Sequence, residues 1–160
     1  MSSDMPEYPN QNNARRICAG LFIVYAGMMA YLLFFQRKPS DLPWEEFIRT
    51  SFNLVPFRTI RQMLRLLDGR PLLARFALIN LAGNVVMFVP LGLLPALWQR
   101  QRKFGWYFLT VAGAILLVEL VQLVTTLGSA DIDDWCLNML GAIAGYGIWR
   151  LTVSMGHKAA

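Results

Sequence analysis

The chain has 160 residues, 56% of them hydrophobic and 16% charged, against roughly 25% charged in an average soluble domain. Its charges gather between long apolar runs, which excludes an ordinary soluble globule and reads as one membrane domain. The formal net charge of +5 comes without basic repeats interleaved with aromatics, so nucleic acid is not an expected partner. Two cysteines without C-x-x-C spacing, Cys18 and Cys136, and a single histidine, His157, argue against a zinc site.

Residues 1–14 are polar, with Pro6, Pro9 and an Asn/Gln run, and read as a disordered tail. Arg15 and Arg16 then flank a first predicted span, Ile17–Phe35. That run is longer than a signal-peptide core of about 7–15 residues and is followed by no A-x-A site, so it reads as an uncleaved span. In the loop beyond it, Ser40 to Glu46 carries a capping residue, an early proline and first-turn acids, a helix start. After Asn53-Leu54-Val55-Pro56 a second helix is expected to run to Asp68, closed by Gly69 and Pro71. Phe57, Ile60, Leu64 and Leu67 form an apolar stripe on it, and Arg58, Arg61 and Arg65 a basic one. This is the pattern of a helix lying in the membrane interface with its arginines at lipid head groups.

Three further spans are predicted at Phe76–Trp98, Trp106–Leu127 and Trp135–Val153. Each reaches the roughly 20 residues needed to cross about 30 Å of hydrocarbon. Trp98, Trp106, Trp135 and Trp149 fall near span ends, where amphipathic rings prefer to sit. The expected fold is therefore all-α: four transmembrane helices over residues 15–153, an interfacial amphipathic helix between the first and second, and a C-terminal tail at 154–160. The short loop Gln99–Lys103 is basic, whereas Gly128–Asp134 holds three aspartates and no Lys or Arg. Placing the basic loop in the cytoplasm puts both termini there, in a cell membrane crossed several times.

Polar residues inside the spans carry the functional information. Asn80 and Asn84 lie on the second, Glu119 and Gln122 on the third, and Asn138 on the fourth, just after Asp131, Asp133 and Asp134. At about 1.5 Å per residue all fall in the same leaflet, within roughly 12 Å of the acidic loop. A charged side chain near a helix centre costs about 2.5–3.5 kcal/mol, so Glu119 must face the bundle or a wet cleft. Two readings compete: interhelical hydrogen bonds that merely hold helices together, or a polar cleft that binds a ligand. The aspartates have a plain reading as helix caps. They are also candidate ligands for a divalent cation such as Mg²⁺, or partners for an arginine such as Arg75. Gly141 and Gly145, spaced G-x-x-x-G, let a neighbouring helix approach closely. Pro90 and Pro95 interrupt the second span, and Pro90 frees a carbonyl near the cleft.

Four ordered segments, Asn53–Ile60, Asn80–Gly92, Glu119–Gln122 and Asp131–Gly141, resemble the VanZ-like family of bacterial membrane proteins. Many members carry an arginine shortly before the acidic segment, where this chain has Leu127-Gly128-Ser129. The resemblance adds Asn53, Pro56 and Phe57 to the candidate ligand-binding cleft and implies an envelope role of the kind associated with teicoplanin resistance. Three functions follow. A non-enzymatic envelope protein would bind membrane lipids or a lipid-linked cell-wall precursor, its arginines attracting the anionic group. A membrane enzyme would act on such a lipid, with Glu119, Asp133 or Asp134 as acid, base or metal ligand. A proton-coupled transporter would use Glu119 as carrier and would need a homo-oligomer to enclose a path. No nucleophile–base pair, phosphate loop or histidine relay favours the enzyme.

Overall fold

The computed structural model describes residues 11–35, 38–98 and 104–156. Helix α1 (Gln11–Ala30) ends in a π-helical turn, Tyr31–Phe35, and α2 (Trp44–Ser51) follows. A two-residue strand β1 (Phe52–Asn53) leads to α3 (Arg58–Leu67) and then α4 (Pro71–Trp98). Helix α5 (Phe104–Val124), strand β2 (Ala130–Asp131) and α6 (Ile132–Gly156) complete the chain. The basic loop Gln99–Lys103, residues 1–10 and residues 157–160 lie outside the described residues, and α1 already begins within the expected tail.

Among the described residues three helices are long and apolar enough to cross a membrane: Arg15–Phe35, Pro71–Pro95 and Phe104–Val124. Helix α6 is as long, at 25 residues, but Asp133, Asp134, Asn138 and Arg150 make it more polar. Large apolar side chains stand outward along the apolar helices, among them Ile23, Val24, Leu72, Leu109 and Leu117. Such a surface suits lipid, since soluble monomers rarely expose contiguous apolar area of this extent.

The core runs between the helices through Tyr25, Met29, Leu33, Phe88, Val111, Ile115, Met139 and Ala142, with Ile115 wholly buried. The most extensive packing is α4 on α6, and glycine is its cause. A Cβ at Gly141 would overlap the Val85 carbonyl oxygen, one at Gly145 that of Val89, and one at Gly92 that of Ala142. Backbones that touch in this way admit no side chain, so the G-x-x-x-G reading holds, with Gly92 as its counterpart on α4.

The prolines of α4 find outside partners. Pro95 cannot donate to Leu91, and the Tyr107 hydroxyl reaches the carbonyls of Leu91 and Gly92 from α5. One turn earlier, beside Pro90, the Tyr25 hydroxyl donates to the Met87 carbonyl at 2.8 Å from α1.

Two local expectations change. Helix α2 starts at Trp44 after Pro43, with no side-chain cap; Ser40 instead turns its hydroxyl to the Leu42 N–H at 3.3 Å. Gly69 is not left-handed; its N–H closes on the Leu66 carbonyl at 3.1 Å, and Pro71 then opens α4.

Candidate functional site

The end of the bundle that holds the acidic segment is built by a parallel pairing of two very short strands. Phe52 pairs with Ala130 and Asn53 with Asp131. This fixes the 38–70 loop onto the turn between α5 and α6. Ser40 adds a backbone bond to the Thr126 carbonyl at 3.0 Å. That turn closes α5 in a Schellman pattern, Leu127 N–H to Gln122 O and Thr126 N–H to Leu123 O, with Thr126 left-handed at φ 56°.

Asp131 and Asp133 then clamp α3. Asp131 accepts from Asn53 Nδ2 at 3.0 Å, from the Thr59 hydroxyl and, as cap of its own helix, from the Asp133 N–H at 2.8 Å. Asp133 is 1% exposed, and its carboxylate accepts the N–H of Phe57 at 2.6 Å and of Ile60 at 3.1 Å. It thus caps the start of α3 rather than that of α6, bridging two elements far apart in sequence. Phe57 supports this in a left-handed conformation at φ 63°. Pro56 and the Phe57 ring are exposed.

Asp134 faces elsewhere, accepting from Asn84 Nδ2 on α4 at 2.7 Å. The three aspartates therefore serve different sets of donors. Among the described residues no group of three or more His, Cys, Asp or Glu is arranged to hold a metal ion. Arg75, the other suggested partner of the aspartates, stands exposed on α4.

Below this clamp, three side-chain bonds link four helices. Gln122 Nε2 on α5 donates to the Leu33 carbonyl in the π-helical end of α1 at 3.3 Å. Asn138 Nδ2 on α6 donates to Glu119 Oε1 on α5 at 3.2 Å. Asn84 on α4 reaches Asp134 on α6 as above. Glu119, Gln122 and Asn138 are all buried. The bonds expected of the interhelical reading are therefore present, and they surround a cavity of about 20 Å³ lined by Asn84, Glu119, Gln122, Ser129, Asp134, Asn138, Leu33, Phe88 and Val118. A cavity needs about 10–15 Å³ to hold one water. This one therefore takes a water-sized group, and Ser129, the exposed member of its lining, marks its outer end.

Asn80 does not reach the cavity lining. Helix α4 starts at Pro71, well before the level at which it meets α6, and Asn80 lies one turn, about 6 Å, outward of Asn84. Asn53 sits in the clamp above, not in the cavity. Thr59, Ser129 and the Leu33 carbonyl were not singled out from the sequence. Thr59 lies within the Asn53–Ile60 segment and Ser129 within the acidic loop, so proximity to those segments was the available signal.

Helix α3 shows its strong amphipathicity with a shift of face. Ile60, Met63 and Leu66 are half-buried, with α4 the main neighbour of the helix, whereas Phe57, Leu64 and Leu67 of the expected stripe are exposed. Arg58, Arg61 and Arg65 are exposed on another side. Cys18 and Cys136 are both free.

Residues 22–153 match the family described as VanZ/LLP1. The chain is 25% identical over 133 residues to Protein VanZ of Enterococcus faecium, an alignment covering 83% of this chain and 73% of that protein. No solved structure matches the chain. With the family match spanning most of its length, this chain belongs to the VanZ/LLP1 family.

Proposed function

We propose that this protein is a four-span envelope protein that binds a lipid, or a lipid-linked cell-wall precursor, at the acidic end of its bundle. The observation that carries this is the joining of two features at one end: a polar cavity between the helices, and an arginine-bearing amphipathic helix clamped beside it by Asp131 and Asp133. Exposed Leu54, Val55, Phe57, Leu64 and Leu67 give that helix and its leading loop an apolar surface to set into the membrane interface, with Arg58, Arg61 and Arg65 at head-group level. Helix α6 serves as the fourth span: its packing on α4 is the most extensive in the molecule, and Asp133 and Asp134 lie in its first turn. Both termini are then on one side, the cytoplasmic side by the charge of the Gln99–Lys103 loop.

Similarity to Protein VanZ supports a role in glycopeptide, specifically teicoplanin, resistance, exerted by altering access to the bound lipid. The geometry favours binding over catalysis, because Asp131 and Asp133 are engaged with backbone and side-chain donors that hold the fold together. The test is purified protein in nanodiscs with anionic lipid, beside the Arg58/Arg61/Arg65→Gln triple variant. Each basic residue at the surface contributes about 1 kcal/mol, so the triple variant should stay folded and lose roughly a hundredfold in affinity at low salt. Unchanged binding would make the arginines a solvated face and remove the basis of the reading. In cells, a deletion strain complemented by the wild type but not by the triple variant should regain teicoplanin tolerance.

A further inference from the structure

The cavity between α4, α5 and α6 has a chemical bias of its own. Each amide nitrogen of its lining already donates once, Asn84 Nδ2 to Asp134, Asn138 Nδ2 to Glu119 and Gln122 Nε2 to the Leu33 carbonyl. Against these donors stands an excess of acceptor oxygens. Asn138 is 3% exposed, and its Oδ1 is buried without a hydrogen-bond partner. A buried amide oxygen left unsatisfied costs about 1–3 kcal/mol, so native structures rarely leave one without a donor. Two carboxyl groups, Glu119 and Asp134, share the lining, and no Lys, Arg or His does among the described residues. An anion such as phosphate is therefore the wrong ligand for the cavity itself.

Size narrows the choice. About 20 Å³ admits one group the size of a water molecule. A primary ammonium is such a group, with three N–H donors and a compact charge. A guanidinium or a trimethylammonium is too large, and the latter has no N–H to offer Asn138. We propose that this cavity seats a primary ammonium group, its N–H bonds directed to Asn138 Oδ1 and to the carboxyl groups of Glu119 and Asp134. The proposal deepens the lipid-binding reading and rests on it for the source of the group. An amphiphile carrying both an ammonium and a phosphate would place the first in the cavity and the second against Arg58, Arg61 and Arg65 on the clamped helix.

The experiment uses full-length delipidated protein in detergent, with lipids of matched acyl chains bearing ethanolamine, choline or glycerol head groups, and binding read by native mass spectrometry. The ethanolamine lipid should bind at least about tenfold more tightly than the choline lipid, the worth of one good hydrogen bond to a charged group. Glu119→Gln keeps the bulk and removes the charge, and Asn138→Ala removes the free acceptor. Each should bring that ratio close to one, with an unchanged helical circular-dichroism spectrum and monodisperse elution reporting that the bundle is still folded. Free ethanolamine that displaces the ethanolamine lipid at equal concentration would make a soluble amine the source; failure to displace it would make the lipid the source. Equal affinity for ethanolamine and choline lipids in the wild type overturns the proposal. So does stabilisation by sodium chloride that matches ethanolamine chloride and is lost in Asn138→Ala, since the site would then be one for an alkali ion. Loss of anionic-lipid binding in the wild type, with the ethanolamine preference retained, would instead strike at the lipid-binding reading and leave the ammonium site standing.

Discussion

Asp133→Asn should release the arginine helix while leaving the bundle intact. Both carboxylate oxygens of Asp133 are used, on Phe57 N–H at 2.6 Å and Ile60 N–H at 3.1 Å, and the residue is 1% exposed. Bonds to a charged acceptor contribute about 1.5–3 kcal/mol each. Asparagine keeps one acceptor, now neutral, and turns an amide donor toward the other backbone N–H. The net loss is about 2–4 kcal/mol, applied to a short segment whose remaining anchors are the β1–β2 pairing, the Asn53/Thr59/Asp131 bonds and packing on α4. Local opening needs less free energy than global unfolding, so the segment 52–67 is where the loss should appear. Hydrogen exchange read by mass spectrometry should rise there by roughly 30- to 1000-fold, with α4 and α6 unchanged. Asp134→Asn is the control, because Asp134 serves Asn84 on α4 and not α3. Unaltered exchange at 52–67 in Asp133→Asn, or an equal rise in both variants, would refute the clamp.

Other consequences follow from the same geometry. Gly145→Ala sets a methyl against the Val89 carbonyl; it should lower stability in detergent by about 1–3 kcal/mol, whereas Gly147→Ala, with nothing within 4 Å, should be neutral in the same melt. Thr126 is left-handed at φ 56°, a conformation that costs an L-residue about 1–2 kcal/mol. Thr126→Gly removes that strain at an entropic penalty of about 0.5–1 kcal/mol, so it should raise the unfolding midpoint, and a lower midpoint would count against the assigned turn. A membrane-impermeant thiol reagent on intact cells should modify Cys136, which is exposed at the acidic end, and leave Cys18 unmodified; the reverse labelling would invert the proposed topology.

The long apolar helices were legible in the sequence because lipid imposes a local rule: every residue of a span meets the same solvent, and composition over about 20 residues suffices. The glycine spacing on α6 was legible for a similar reason, since only close backbone approach makes a small-residue repeat useful. Asn84, Glu119, Gln122 and Asn138 line one cavity, and their grouping was approachable from the sequence because helical rise converts sequence separation into position along a helix. Asn80 stands one turn outward of Asn84, as that rise requires, and is not among the residues lining the cavity. Only the tertiary structure decided what each aspartate does. Composition groups Asp131, Asp133 and Asp134 as one acidic cluster, yet successive helical residues point about 100° apart. One therefore ties down the Asn53–Thr59 segment, one caps α3, and one meets α4. The parallel pairing of Phe52–Asn53 with Ala130–Asp131 was likewise unreadable, because two residues carry no periodicity. The free oxygen of Asn138 could not be foreseen either: whether a buried acceptor finds a donor depends on the orientation of its neighbours, which no spacing along a single helix encodes.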